Sequence, residues 1–143
     1  MLKGISPLLN PELLSTLYRM EQGDEIVLAN ATFPGESFNK NVIRADGVEI
    51  HHLLEAILPL IELDQYTGSP LIMMDTNTGD KIDPNIELRY RRSIQITNPD
   101  IKEIGKIERF SFFERTTKAY AVVITGETEK YGNIIIKKGM TPI

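Results

Sequence analysis

Two carboxamides bracket the stretch EQGDEIVLAN: Gln22 stands before an apolar run and Asn30 closes it. Amides donate and accept hydrogen bonds and so position ligands, but they do not change protonation state near neutral pH. Groups able to do more are few. Asp75-Thr76-Asn77-Thr78-Gly79-Asp80 imitates a calcium loop, yet its glycine falls at the fifth place instead of the sixth and Ile86 occupies the twelfth, so no bidentate glutamate closes the shell. A polar turn is expected there. His51 and His52 are the only histidines. On a helix their side chains point about 100° apart, which excludes the usual i, i+4 metal pair. Single glycines in VITGE and YGN make no phosphate cradle, no serine sits in a nucleophile elbow, and there is no cysteine. Covalent catalysis is therefore unsupported.

The chain has 143 residues, 41% hydrophobic and 25% charged, the balance of an ordinary globular domain. That length buries roughly two thirds of the surface of the unfolded chain, enough for a core without disulfides. No internal period and no low-complexity stretch appears, so residues 1–143 are read as one domain. A net charge of -4 argues against a polyanion as partner. The densest basic cluster, Arg89, Arg91 and Arg92, is interrupted by Glu87 and Ser93 and reads as a solvated helix face. Pro59 and scattered charges break the best apolar region, LLEAILPLIEL, and the N-terminus has no apolar run of signal-peptide length, so no membrane association is expected. The lack of cysteine fits a reducing compartment, and the expected location is cytoplasmic.

The elements that must position these side chains follow from pattern. Asn10 caps a helix that Pro11 and Glu12 begin, with Leu13, Leu14, Leu17 and Tyr18 as its apolar stripe and Gly23 as its stop. Residues 24–30 alternate as a strand with apolar groups on both faces, Ile26 and Leu28 on one and Val27 and Ala29 on the other, which predicts a central position. ATFPGESF reads as a loop and VIRA as a short strand. Asp46-Gly47 is a turn, and the following segment has helical spacing at Leu53, Leu54, Ile57, Leu58 and Ile61, with Pro59 expected to bend or end the helix. SPLIMMD is a second buried strand, Asp83-Pro84 starts a helix to about Ser93, and IGKIERF is a strand. Ser111 to Glu114 has the capping-box form and predicts a helix over FFERTTKA. AYAVVITG and NIIIKK close the list of strands. Strands alternating with helices predict a single layered α/β domain. Ligands in such sheets sit beyond the carboxyl ends of strands, which puts Asn30 to Pro34 at a rim.

GDEIVLA, the NATFP loop, VIRADG, LDQY, ERFSFFER, AVVITGE and the terminal YGNIIIKKG together resemble the fucose mutarotase and ribose pyranase family, on its fucose side, over nearly the whole length. The resemblance implies an α/β subunit that assembles into a ring-based homo-oligomer, commonly a homodecamer of two stacked pentamers, with sugar sites near subunit boundaries. It also implies the activity: exchange of the anomers of a reducing monosaccharide, L-fucose or a related sugar, by assisted ring opening and reclosure without metal or cofactor. Arg109 in ERF matches the family's substrate-binding arginine, and Tyr131, Gly132 and Asn133 match the segment that contacts sugar hydroxyls. Tyr120 is a further substrate-binding candidate.

The departures lie at the ionisable positions. The family carries a histidine at the position of Gln22 and an aspartate at that of Asn30, and Thr32 stands where a second histidine is common. Anomer exchange needs a proton delivered to one sugar oxygen as another is withdrawn. Asp24 and Glu25 lie near enough in sequence to replace the missing acid, although GDE also occurs in members that keep the histidine, so hydrogen bonding within the turn accounts for Asp24. Tyr131 and a bound water are other relays. Two functions fit this pattern: an isomerase in which Gln22 orients a water or hydroxyl, and a non-catalytic sugar-binding or sensing oligomer that kept the cup and lost the shuttle.

Overall fold

The computed structural model describes residues 1–77 and 79–143, and Thr78 of the acidic turn lies outside the described residues. The elements in chain order are α1 (Pro11–Arg19), β1 (Glu25–Ala29), α2 (Gly35–Phe38), β2 (Val42–Ala45), α3 (Ile50–Ile57), β3 (Leu71–Met74), α4 (Pro84–Gln95), β4 (Gly105–Ile107), α5 (Arg109–Lys118), β5 (Ala121–Thr125) and β6 (Ile134–Lys137).

The strands form one sheet among the described residues, in the order β2-β5-β1-β6-β3-β4. β1 is central, as its two apolar faces require: Leu28 lies opposite Val123 of parallel β5 and opposite Ile134 of antiparallel β6. β2 runs parallel to β5, β3 to β4, and β3 pairs antiparallel with β6. Five strands therefore point one way and β6 runs against them. The carboxyl ends of β1, β3 and β4 meet the amino end of β6 on a single rim.

Alternation along β1 divides the core into two layers. Ile26 and Leu28 join Leu13 and Leu17 of α1, Leu53, Leu54 and Ile57 of α3, and Ile86, Tyr90 and Ile94 of α4. Val27 and Ala29 face the other side, with Phe33, Phe112, Val122, Ile124 and Tyr131. Each fully buried Leu or Ile contributes about 1.5–3 kcal/mol relative to exposure. No helix among the described residues is long and apolar enough to cross a membrane.

Local signals explain most boundaries. The Asn10 side chain accepts from the Leu13 amide at 2.8 Å, and Asp83 does the same for Asn85 at 2.9 Å. α3 ends at Ile57, two residues before Pro59. Three expectations need correction. Tyr18 is 91% exposed: it lies about 140° around α1 from Leu13, and the buried face is completed by Thr16 and Met20 instead. The ATFPGESF segment contains the one-turn helix α2, seated where Gly35 passes so close to β5 that an added Cβ would lie 2.8 Å from Ile124 Cδ1. α5 begins at Arg109, ahead of the expected serine box, because extended Glu108 is the cap. Its carboxylate accepts from the Ser111 and Phe110 amides at 2.8 and 3.1 Å, and the Ser111 hydroxyl donates to it at 2.7 Å. Arg109 thus follows β4 directly and opens a helix at the rim.

Candidate functional site

The rim holds a cavity of about 230 Å³ lined by residues from four segments: Asn30, Thr32, Phe33 and Pro34 after β1, Met74, Asn77 and Asp80 after β3, Arg109 and Phe113 on α5, and Lys130, Tyr131 and Asn133 before β6. Its floor is aromatic. Phe33 and Phe113 have ring centroids 5.5 Å apart, and the Arg109 guanidinium carbon lies 5.3 Å from the Phe113 centroid. The spacing of Arg109 and Phe113, one helical turn, puts both on one face of α5. Among the described residues no carboxylate pairs with Arg109, which leaves its fork of donors to a ligand.

Asn133 is a buried clamp. Its side-chain oxygen accepts from the Asn30 amide at 2.8 Å, joining the amino end of β6 to the carboxyl end of β1. The Asn30 side chain reaches the Glu129 carbonyl at 3.4 Å and takes a hydrogen bond from the Thr32 hydroxyl at 3.4 Å. Tyr131 takes a φ of 63°, the left-handed region that costs a non-glycine residue about 1–2 kcal/mol. Strain of this kind persists only where surroundings hold it. Here the Gly132 amide donates to the Glu129 carbonyl at 3.1 Å, the Tyr90 hydroxyl donates to the Gly132 carbonyl at 2.7 Å, and the Tyr131 hydroxyl donates to Asp80. Gly132 lies behind the cavity wall, where a Cβ would meet Glu129 O and the Tyr90 hydroxyl at 3.0 Å each. Burial pushes the Tyr90 phenol above its ordinary pKa, so it stays a donor to that carbonyl.

Asp80 is the carboxylate of the cavity. It receives the Tyr131 hydroxyl and sits 3.1 Å from the Lys130 ammonium. Those two hydrogen-bonding partners, Tyr131 first, hold its pKa below the ordinary value. The sequence reading treated Asp80 only as part of a polar turn, although it follows a parallel strand just as Asn30 does. Lys130, Asn77 and the two phenylalanines were also missed. The Phe113 signal was available from its spacing to Arg109.

One chain does not bring all the expected residues together. Asn30, Arg109, Tyr131 and Asn133 share the cavity, with Gly132 behind it. Gln22 is exposed in the turn before β1, and this five-residue strand spans roughly 17 Å between it and Asn30. Tyr120 precedes β5, which is parallel to β1, and so lies at Gln22's end of the sheet. Its amide donates to the Glu25 carbonyl at 2.8 Å and its side chain packs partly into the core. Asp24 accepts from the Glu21 amide at 2.8 Å, and Glu25 pairs with Arg115. Both carboxylates are thus held at the far end.

The histidines also lie outside the cavity, their rings 4.0 Å apart on α3. The ligating atoms of Glu49, His51 and Glu127 lie within 4.8 Å of one another. Both carboxylates already have partners: Glu127 accepts from the Glu129 amide at 3.4 Å, and Glu49 faces Arg89 at 3.9 Å. Desolvation lowers the His51 pKa.

A family model described as the RbsD / FucU transport protein family matches residues 3–141. The chain is 57% identical over 143 residues to the L-fucose mutarotase of Haemophilus influenzae (strain 86-028NP), covering 100% of this chain and 99% of that protein. The crystal structure of a fucose mutarotase in complex with L-fucose from Streptococcus pneumoniae superposes with a TM-score of 0.93 at 47% identity, covering 99% of this chain and 100% of that one. FucU from Bifidobacterium longum gives a TM-score of 0.92 at 37% identity, over 98% of this chain and 100% of that one. The chain belongs to the RbsD / FucU family.

Proposed function

We propose that this protein is an aldose mutarotase, an isomerase that interconverts the anomers of L-fucose or a related reducing monosaccharide in the cytoplasm. The observation that carries the reading is a monosaccharide-sized cavity in which an arginine with no carboxylate partner among the described residues, three carboxamides and a phenol surround an aromatic floor. A sugar offers the matching surface, with hydroxyls for the polar groups and C–H faces for Phe33 and Phe113. Relatives more than half identical over their full length carry the same activity in their names.

Gln22 stands where the family has its catalytic histidine. Because it is exposed at the opposite end of β1, it joins a sugar in this cavity only from a neighbouring chain. Tyr120 shares that end of the sheet. Each subunit therefore offers two half-sites, a cup and a lid edge, and a ring sets the edge of one against the cup of the next. Exposed Tyr18, Tyr66 and Phe110, at 91, 76 and 72%, supply apolar surface for such contacts. A homodecamer is the assembly proposed. Light scattering at micromolar concentration is expected to give a mass near ten chains, and a monomer would contradict it.

The activity is tested by NMR exchange spectroscopy on a panel of reducing sugars with and without protein. Faster exchange of at least one 6-deoxy or related aldose is the expected result. Saturable binding with unchanged exchange for every sugar would leave only a binding protein.

A further inference from the structure

The ionisable pair of the family is replaced by Gln22 and Asn30, yet the cavity is not without a proton-transfer system. Four titratable residues line it: Asp80, Arg109, Lys130 and Tyr131. Arginine does not titrate in the working range. Lys130 is 71% exposed at the mouth, 5.4 Å from the Tyr131 ring centroid and 3.1 Å from Asp80. Tyr131 is 5% exposed, with its backbone strained and its hydroxyl directed to Asp80. The Asn77 amide approaches the same phenolic oxygen at 3.4 Å.

This geometry has a chemical consequence. A phenol that donates to a carboxylate keeps its own proton on the carboxylate side, so a lone pair of the phenolic oxygen remains for a sugar hydroxyl. Segments from three places converge to build the arrangement: the loop after β3, the residue before Tyr131, and the turn that Tyr90 and Gly132 lock from behind.

We propose that Tyr131 and Asp80 form the proton relay of the mutarotase reaction, with Tyr131 touching the sugar and Asp80 acting through it. The inference rests on the mutarotase reading and deepens it. In ring opening the anomeric O–H proton passes to the phenolic oxygen as the phenol proton moves to Asp80. The O–H electron pair becomes the second bond of the carbonyl at C1, and the bond from C1 to the ring oxygen breaks with its pair on that oxygen. The relay then runs backwards and returns the proton to the freed ring oxygen, which becomes the hydroxyl of the open-chain sugar. The net proton balance is zero, so no metal, oxidant or further acid is consumed. Rotation about C1 and reclosure by the reverse steps gives the other anomer. Asn77 fixes the phenolic oxygen, and the Lys130 charge keeps Asp80 ionised between turnovers.

The test measures exchange rates and sugar affinity separately for the assembled wild-type protein and for Asp80→Asn, Tyr131→Phe and Asp80→Glu. Both disabling variants are expected to lose about 10²-fold or more of the catalysed exchange. Tyr131→Phe is expected to keep its affinity within a few-fold, and Asp80→Glu to recover part of the rate. The wild-type rate is expected to stay flat from pH 8 down through 5, falling only as Asp80 protonates, below the ordinary carboxylate value of about 3.9. A wild-type protein that catalyses exchange while both disabling variants match it would overturn the relay and leave the mutarotase reading standing. A rate limb near pH 6.5 in the wild type would also overturn the relay, because Asp80 does not titrate there. No catalysed exchange in the wild type would overturn both.

Discussion

Replacing Gln22 by histidine is expected to raise the rate of sugar anomer exchange by about 10²-fold, the lower end of what a positioned acid-base group contributes. The lower end applies because, in the proposed relay, the Tyr131 and Asp80 pair already handles one proton. In the proposed ring an imidazole would supply a second titratable group on the other side of C1, delivered from the neighbouring chain, so that withdrawal and delivery would occur together. The same substitution is expected to create a new limb in the pH profile near 6.5, where histidine titrates and glutamine does not. Gln22 is exposed and makes no side-chain hydrogen bond among the described residues, so the change carries little folding cost. Rates from exchange spectroscopy between pH 5 and 8 check both effects. An unchanged rate with a flat profile would mean that Gln22 does not reach the sugar.

Arg109→Ala is expected to weaken monosaccharide binding by roughly 10- to 100-fold. A hydrogen bond to a charged group contributes about 1.5–3 kcal/mol, and 1.4 kcal/mol is tenfold in affinity. The guanidinium also covers part of the Phe113 ring, so truncation wets the apolar floor as well. Stability is expected to change little, since Arg109 is exposed at the first turn of α5 and the Glu108 cap does not depend on it. Calorimetric titration with L-fucose separates the two. Loss of fold with loss of binding would count against a direct sugar contact.

Much of this fold was legible because its signals are local. Asn10-Pro11 and Asp83-Pro84 announce α1 and α4 through cap chemistry, and the two-faced apolar run of β1 announces a central strand. Signals that failed were tertiary. Tyr18 matches a helical stripe as well as Met20 does until α3 and the sheet choose the face. Serine and glutamate three apart look like a capping box at Ser111, but the strand β4 ends at Ile107, and Glu108 is where the chain turns. α2 has only four residues and exists through packing against β5, which no propensity reports.

The residues of the candidate cavity were singled out by resemblance more than by spacing. Arg109 and Asn133 are 24 positions apart and meet only because β6 inserts antiparallel between β1 and β3, a strand order that a period of two cannot encode. Gln22 and Asn30 flank one strand and so stand at its opposite ends, a separation that the sequence already carried. Asp80 was hidden by its setting in Asp75 to Asp80, where a failed match to a calcium loop suggested a bland turn. The rule that placed Asn30 at a rim places residues after β3 there too.

The central claim is that the cavity holding Arg109 exchanges sugar anomers. Its most direct test is the interconversion rate of L-fucose anomers by NMR, measured at one protein concentration for the wild type and for folded Arg109→Ala. A rate well above that of buffer for the wild type, falling toward the buffer rate in the variant, is the predicted result. Equal acceleration by both proteins would place the chemistry elsewhere and contradict the account.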